Sequence, residues 1–323
     1  MRHTTMTIDQ PALFPPPGRT GSLTPPVATL APLTAKSSLS SAVSAFHGNM
    51  LRQGFSENTV KAFMGDLRLL MKYIPPNSNL SRITTHDLEN YLTWLLNDRG
   101  TPCSPKSYAR RLTTLKVMFK WLYDTDVIAH DPAAPIAHQP VTTPLPTILY
   151  DNEVERLLRY TRDLLWARKP DARPYVLISL ILQTAIKKSE CMGIKLEHID
   201  GSDPRAPILY IRYPNARMRH KERKLILAPQ FLPSMRQYIA QYKPETHLFE
   251  CTARNLEYVL TDAGQLAGIE HKSVSFEVMR WTAAVRDYRT GMAPEQLRKK
   301  LGLSKISWRE TGQKIRQLAS PAV

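Results

Sequence analysis

The spacing of apolar residues in the first third of the chain predicts amphipathic helices. A Ser-Glu-Asn-Thr helix start at residues 56–59 and a Thr-Thr-His-Asp start at 84–87 each precede apolar positions three and four residues apart. A third helix is predicted from about Pro105 to Tyr123. The expected inner faces are Val60, Phe63, Leu67, Leu70 and Met71; Leu88, Tyr91, Leu92 and Leu95; and Tyr108, Leu112, Leu115, Phe119 and Leu122.

The second half of the chain alternates helical patterns with one predicted β-hairpin. Residues 207–213 are rich in β-branched and aromatic side chains, and residues 223–227 form a second such run. The segment between them, residues 214–222, is strongly basic. We therefore expect a hairpin whose connection carries several cations.

Composition divides the chain into five segments. Residues 1–36 are rich in Pro, Thr and small residues and predict an irregular arm. Residues 37–130 form a predicted helical domain, and the Pro-rich stretch 131–146 is predicted to be a linker. A second domain is expected over residues 147–318, with a tail at 319–323.

The charge balance indicates a polyanionic partner. Lys and Arg number 44 and Asp and Glu 28, which gives a formal net charge of +16. The predicted helix at 105–123 carries a cationic stripe opposite its apolar face, and no acid occurs between Ser104 and Lys120. Such a stripe is either a solvated helix face or a surface that contacts phosphate. Because no acidic residue is interspersed among its cations, phosphate contact is favoured. Its members are Lys106, Arg110, Lys116 and Lys120.

Other classes of function find little support in the sequence. The three cysteines fit neither a zinc pattern nor a disulfide framework, which suggests a reducing cytoplasm. The longest apolar run is far shorter than the roughly 20 residues of a membrane span. The histidines lack metal-ligand spacing, so neither a metal nor another cofactor is expected.

Four short motifs between residues 184 and 312 carry a family resemblance. They are Thr-Ala-Ile-Lys-Lys-Ser-Glu at 184–190, Lys-Glu-Arg at 221–223, Met-Arg-Trp-Thr at 279–282 and Leu-Gly-Leu-Ser-Lys-Ile at 301–306. In this order and at these separations the chain resembles the tyrosine recombinases, the family of phage integrases and Xer-type resolvases, over roughly residues 39–318. The resemblance implies an α+β fold, mainly helical with a small sheet. A helical, SAM-like core-binding domain and a catalytic-type domain would form a clamp around duplex DNA.

The resemblance also implies six functional positions. Enzymes of that family attack a DNA phosphate with a tyrosine, clamp the phosphate with two arginines and protonate the leaving oxygen with a hairpin lysine. Two further positions assist by proton transfer or hydrogen bonding. Only one position keeps its residue, one keeps only a positive charge, and the nucleophile position holds glycine. In chain order the six are Lys187, Met218, Glu277, Arg280, Leu303 and Gly312.

The expected function is therefore DNA binding without cleavage. Glu277 would repel phosphate and more simply forms an ion pair with Arg280. The protein is expected in a prokaryotic cytoplasm on double-stranded DNA, beside copies of itself or related recombinases of a mobile element, with no membrane or small-molecule substrate. The expected DNA contacts are Lys106, Arg110, Lys116, Lys120, Lys187, Arg217, Arg219, His220, Lys221, Arg223 and Arg280.

Two alternatives remain open. One is an active recombinase with a displaced nucleophile, for which Tyr288, Ser304, Ser307 and Thr311 are the available hydroxyls. Tyr288 is more simply a core or surface residue, and the other three lack an evident base. The second alternative is an RNA-binding or protein-scaffolding descendant of the same fold.

Overall fold

The chain folds into two compact units that divide between Thr143 and Pro144. The computed structural model describes residues 32–138 and 144–320. Most of the predicted arm, part of the predicted linker and most of the tail thus lie outside the described residues. Residues 34–37 are tied to the fold, since Ser37 donates a backbone hydrogen bond to Thr34 and Ala35 accepts one from Ser81.

The N-terminal unit is built from four amphipathic helices. Each begins after a Ser or Thr whose hydroxyl accepts a backbone N–H of the first turn, and Thr84 and Asp87 form a reciprocal capping box. The predicted helix starts at Ser56 and Thr84 are confirmed. Apolar faces meet in one core that includes Phe46, Leu67 and Phe119. The helices are α1 (Leu39–Arg52), α2 (Glu57–Tyr73), α3 (Thr85–Asn97) and α4 (Pro105–Asp124).

The Pro-rich stretch after α4 begins inside this unit. Ala133 and Ile136 are buried in the N-terminal core. The backbone is held there because Asp131 accepts the N–H of Ala133 and Lys116 donates to the carbonyl of Ala134. Proline content alone therefore does not mark where the connection between the units starts.

The C-terminal unit surrounds an apolar helix with other helices and a small sheet. Residues 174–181 of α6 are all buried, which explains the unbroken apolar run in the sequence. Helices α5, α8, α9 and α10 pack around it. The helices are α5 (Asp151–Asp163), α6 (Arg173–Thr184), α7 (Lys188–Met192), α8 (Phe231–Tyr242), α9 (Ala253–Leu266), α10 (Phe276–Arg289), α11 (Pro294–Lys300) and α12 (Lys305–Ala319).

The sheet contains the predicted hairpin and one further short strand. Strands β1 (Ile199–Asp200), β2 (Ile208–Ile211) and β3 (Arg223–Ile226) are antiparallel in that order. Ile211 pairs with Arg223 at the closed end of the hairpin. The basic connection contains a 3-10 turn at Ala216–Lys221. The expected mainly helical fold with a small sheet is thus confirmed.

A second, smaller core joins the last three helices. Ala283 and Ala284 of α10, Leu297 of α11 and Ile315 of α12 are buried together. This packing holds α12 against its own α10 and places the turn between α11 and α12 beside the end of α6. No helix in the described part of the chain is long and apolar enough to cross a membrane.

Candidate functional site

Three predicted functional positions line one pocket in the C-terminal unit. The pocket has a volume of about 190 Å³ and lies between the turn after α6, the middle of α10, the turn before α12 and the middle of α12. Lys187 and Arg280 contribute positive charge to the pocket, and most of the other lining side chains are apolar. Its lining residues are Lys187, Arg280, Trp281, Ala284, Leu301, Leu303 and Thr311.

The backbone after α6 brings Lys187 to the pocket. Ala185 adopts left-handed angles (φ 49°, ψ 32°) and ends the helix by donating its N–H to the carbonyl of Ile181. The chain then reverses, and the N–H of Lys187 donates to Oε2 of Glu190 at 2.8 Å. A lysine side chain is therefore held at the point where one helix ends and the next begins.

Arg280 is hydrogen-bonded to two backbone carbonyls in the pocket wall. Its Nη1 donates to the carbonyl of Ala185, and its Nη2 donates to the carbonyl of Leu301 at 2.8 Å. Burial lowers the pKa of Arg280 to about 10, assisted by Arg223 and opposed by Glu190. The guanidinium stays charged at neutral pH. A guanidinium has five N–H donors, and these two carbonyls account for two of them.

Lys187 offers a second positive charge. No acidic side chain of the described residues forms an ion pair with its ammonium. Burial lowers the pKa of Lys187, Glu190 opposes that shift, and the nearby Arg280 adds to it. A partly desolvated ammonium without an acidic partner gains from contact with a phosphate oxygen. Lysine supplies a point charge here, without the planar fork of arginine.

Arg223, one of the predicted DNA contacts, is paired within the C-terminal unit. Its Nη1 and Nη2 each donate to Glu190 at 3.0 Å, and its Nε donates to the carbonyl of Lys300 at 2.7 Å. Only 9% of its side chain is exposed. Burial alone would raise the pKa of Glu190, but Arg223 and the Tyr213 hydroxyl hold it at about 2. The pair fastens β3 to α7 and to the end of α11.

The hairpin turn presents the cations that remain available. Arg219 and His220 are exposed, and Lys221 is half-buried with its Nζ 3.7 Å from the Met218 sulfur. A thioether carries no proton to donate, so Met218 cannot replace a lysine acid. The side chain of Arg217 lies outside the described part of the structure.

Two other substituted positions differ in where they lie. Leu303 lines the pocket. Glu277 is exposed on α10, and the expected ion pair with Arg280 is wrong. The reason is that Arg280 directs its guanidinium to the carbonyls of Ala185 and Leu301.

Gly312 lies inside α12 beneath an indole ring. A Cβ on this residue would lie 2.9 Å from Cε2 of Trp308, one turn earlier. Of the alternative hydroxyls, only that of Thr311 belongs to a residue lining the pocket. Ser304 instead caps α12 and bonds to Ser307 at 3.0 Å.

Tyr288, the remaining alternative nucleophile, does not line the pocket. It is half-buried and packs against the small core of α10, α11 and α12. This position agrees with the interpretation of Tyr288 as a core or surface residue.

The cationic stripe of α4 is largely occupied by intramolecular partners. Arg110 forms an ion pair with the buried Asp66 of α2. Lys120 pairs with Asp124 at 2.8 Å, and Lys116 donates to a backbone carbonyl. Among the four cations of the stripe, Lys106 alone has no hydrogen bond or ion pair with the described residues. Sequence inspection of α4 missed Asp66 because that acid comes from a neighbouring helix.

No group of three His, Cys, Asp or Glu side chains in the described ranges could hold a metal ion.

Sequence profiles of two domain families match most of the chain. The phage integrase N-terminal SAM-like domain matches residues 43–126. The phage integrase family matches residues 147–310, a range that contains every residue lining the pocket except Thr311.

Individual relatives agree with these profiles. The tyrosine recombinase XerC of Staphylococcus haemolyticus is 26% identical over 229 residues, which is 66% of this chain and 72% of the relative. A tyrosine recombinase of Thermosipho africanus is 22% identical over 258 residues, or 78% of this chain and 87% of the relative.

Solved structures share the fold at low sequence identity. A lambda integrase dimer bound to a COC′ core site has a TM-score of 0.68 at 12% identity and covers 88% of this chain and 80% of its own. The XerH recombinase bound to a palindromic difH substrate has a TM-score of 0.67 at 15% identity, with coverage of 87% and 82%.

Proposed function

Because the chain belongs to the phage integrase family of tyrosine recombinases, we propose that it binds duplex DNA in recombination or integration without cutting it. The observation that carries this proposal is the pocket beside Gly312. It contains two cations suited to a phosphate and no tyrosine to attack one. Loss of the nucleophile removes the covalent pathway, whereas loss of a general acid alone costs about 10² to 10⁴ in rate.

The phosphate contacts follow from the free donors. Arg280 offers a guanidinium and Lys187 an ammonium at the pocket, and Arg219 and His220 extend the positive surface along the hairpin turn. Such contacts fix position on the duplex and carry no base sequence by themselves. Lys106 is the member of the α4 stripe proposed to add a further phosphate contact.

The proposed role is that of an accessory subunit or an occupant of a recombination site. Solved relatives include dimers and tetramers on DNA. We propose that this chain likewise assembles on double-stranded DNA, with copies of itself or with active relatives. In such an assembly, it would contribute binding and geometry while its partners supply the cutting.

The test uses a labelled duplex from DNA flanking the gene, mixed with the full chain and run on gels with and without SDS. We expect a shifted band that disappears in SDS, because binding is non-covalent. The affinity should fall steeply with salt, since counterions are released from each neutralised phosphate. A band that survives SDS would overturn the non-cleaving proposal, and weak binding insensitive to salt would favour the RNA-binding or scaffolding alternative.

A second candidate function is supported by the position of Thr311. This residue lines the same pocket as Lys187, whose pKa is lowered by burial. In this candidate the Thr311 oxygen would attack phosphorus, the Lys187 ammonium would give a proton to the departing DNA oxygen, and the lysine would regain a proton from the Thr311 hydroxyl, which leaves a covalent Thr311–DNA phosphodiester. This candidate requires an SDS-resistant adduct that is lost in Thr311→Val and retained in the control Ser307→Ala, whose hydroxyl bonds to Ser304.

A further inference from the structure

An exposed tryptophan stands on the C-terminal unit at the end of α6 that is remote from the pocket. Trp166 is 82% exposed, the largest fraction among the exposed large apolar residues. It precedes α6, whereas Lys187 follows it, and a helix of this length spans roughly 18 Å. The surface therefore does not belong to the site already described.

The loop that carries Trp166 is anchored on both sides. Gln237 of α8 donates its side-chain N–H to the carbonyl of Leu165 at 2.7 Å. Gln241, one turn later, accepts the backbone N–H of Ala172 at 2.8 Å. The indole itself makes no ring or cation–π contact with the described residues. An apolar ring held outward by a fastened loop is a preorganised contact, which lowers the entropy lost on binding.

Cations flank this ring along the chain. Arg168 and Lys169 follow it after one intervening residue and are exposed. Arg159 and Arg162 extend the positive surface along α5, and the Arg162 guanidinium lies 6.0 Å from the ring of Tyr175 in the first turn of α6. None of these four cations forms an ion pair with an acid of the described residues. We call Arg159, Arg162, Trp166, Arg168 and Lys169 the Trp166 surface.

The nearby acids do not neutralise the Trp166 surface. Asp171 accepts hydrogen bonds from the Tyr242 hydroxyl at 2.8 Å and from the N–H of Arg173. Asp163 is the exposed acid in the segment. Asp163 and Asp171 bring two negative charges against the four unpaired cations, which leaves a net positive patch that fits a polyanion.

We propose that the Trp166 surface is a second nucleic-acid site that binds a single strand. One flat ring among cations matches the arrangement in which backbone phosphates meet Lys and Arg while a base stacks on an aromatic side chain. A duplex does not fit as well, because its bases are already stacked on one another. An acidic protein would need a larger apolar centre than one indole to bury a stable interface.

The test measures binding of fluorescein-labelled oligothymidylate to the full chain by anisotropy. The strand should exceed the ~4–16 nucleotides typical of one single-strand site. Excess unlabelled duplex occupies the proposed duplex site throughout. Trp166→Ala should weaken oligothymidylate binding about tenfold, and Trp166→Phe should recover part of the loss because it restores a ring. Arg168→Gln/Lys169→Gln should weaken binding and lower its salt slope by about 2.

Two controls separate this site from the proposed duplex function. Arg205→Gln/Arg316→Gln removes the same charge from exposed positions elsewhere and should change oligothymidylate affinity by less than about twofold. Trp166→Ala should leave duplex affinity and the melting temperature unchanged, since the indole is exposed. The proposal is overturned if Trp166→Ala binds oligothymidylate as tightly as the parent chain, which would leave an acidic protein as the occupant. Failure of duplex binding in the parent chain would instead count against the proposed function alone.

Discussion

The two units each bury a carboxylate against arginine, with different consequences for DNA binding. In the C-terminal unit, Glu190 engages Arg223, and this leaves Arg280 and Lys187 with positive charge facing a pocket. In the N-terminal unit, Asp66 engages Arg110, one of the cations that the sequence assigns to a DNA-facing stripe. Glu190 thus pairs with an arginine outside the pocket and leaves the pocket cations unpaired, whereas Asp66 pairs with a cation of the predicted DNA-facing stripe.

The pKa shifts of the two acids express the same difference. Glu190 receives both guanidinium nitrogens of Arg223, and its pKa is lowered to about 2. Burial raises the pKa of Asp66, and the charge of Arg110 and the Thr114 hydroxyl only partly oppose this shift. A buried pair stabilises the folded state when its geometry repays desolvation, and the shifts indicate that Glu190 meets this condition better than Asp66.

The largest effect is expected from Arg223→Met. This change leaves Glu190 buried without its partner and should lower the free energy of unfolding of the C-terminal unit by about 3–5 kcal/mol. Urea unfolding followed by hydrogen exchange, which resolves the two units, is the measurement. Arg212→Met breaks the more exposed pair with Glu222 and should lower the free energy of unfolding much less, because an exposed pair is screened by solvent. Equal losses in both variants would mean that burial of the Glu190 pair contributes nothing.

Acidification should change the stability of the two units in opposite directions. Glu190 has a folded pKa below its unfolded value of 4.5, so its contribution is complete above about pH 4.5 and is lost as the pH falls toward about 2. Asp66 has a folded pKa above its unfolded value of 3.8, so its protonation favours the folded state and stability rises as the pH falls through the folded pKa toward 3.8. Unfolding of each unit at several acidic pH values would check this. Glu190→Gln should flatten the profile of the C-terminal unit, and an unchanged slope would contradict the assignment.

Asp66→Asn should have a smaller effect on stability and a distinctive effect on binding. The substitution keeps the size of the side chain and mimics the protonated acid that the fold favours, so we expect the free energy of unfolding of the N-terminal unit to change by no more than about 1 kcal/mol. It also frees Arg110 for phosphate, and duplex affinity should rise modestly at low salt. Lys61→Gln removes an exposed partner of Glu57 and should be neutral for stability. Weaker duplex binding in Asp66→Asn would mean that Arg110 contacts DNA only while Asp66 fixes the position of its guanidinium.

Local patterns predicted the helices and the hairpin because they depend on nearby residues. Ser56 caps its helix, and the apolar run of α6 is buried as such runs usually are. The partners of the cations were not predictable, since Asp66 lies 44 residues from Arg110 and Glu190 lies 33 from Arg223. Long-range pairing depends on how helices pack, and charge in a sequence window does not report it.

The backbone contacts of Arg280 escaped prediction for the same reason. Its two carbonyl partners, Ala185 and Leu301, lie 95 and 21 residues away in the chain. The family resemblance identified the position of Arg280 but not these contacts, which fix where its free donors point.

The smallest expected effects compare single lysines of the two units. Lys187→Gln should weaken duplex binding about tenfold and lower the salt slope by about 1, because a partly buried ammonium beside Arg280 contacts one phosphate. Lys188→Gln is the matched control, since the neighbouring lysine is exposed and already paired with Glu257. Lys106→Gln should weaken binding only about two- to threefold, because an exposed cation is strongly screened. Anisotropy titrations at several salt concentrations would rank the three variants. A greater loss for Lys106→Gln than for Lys187→Gln would reverse the comparison and place the main phosphate contact on the N-terminal unit.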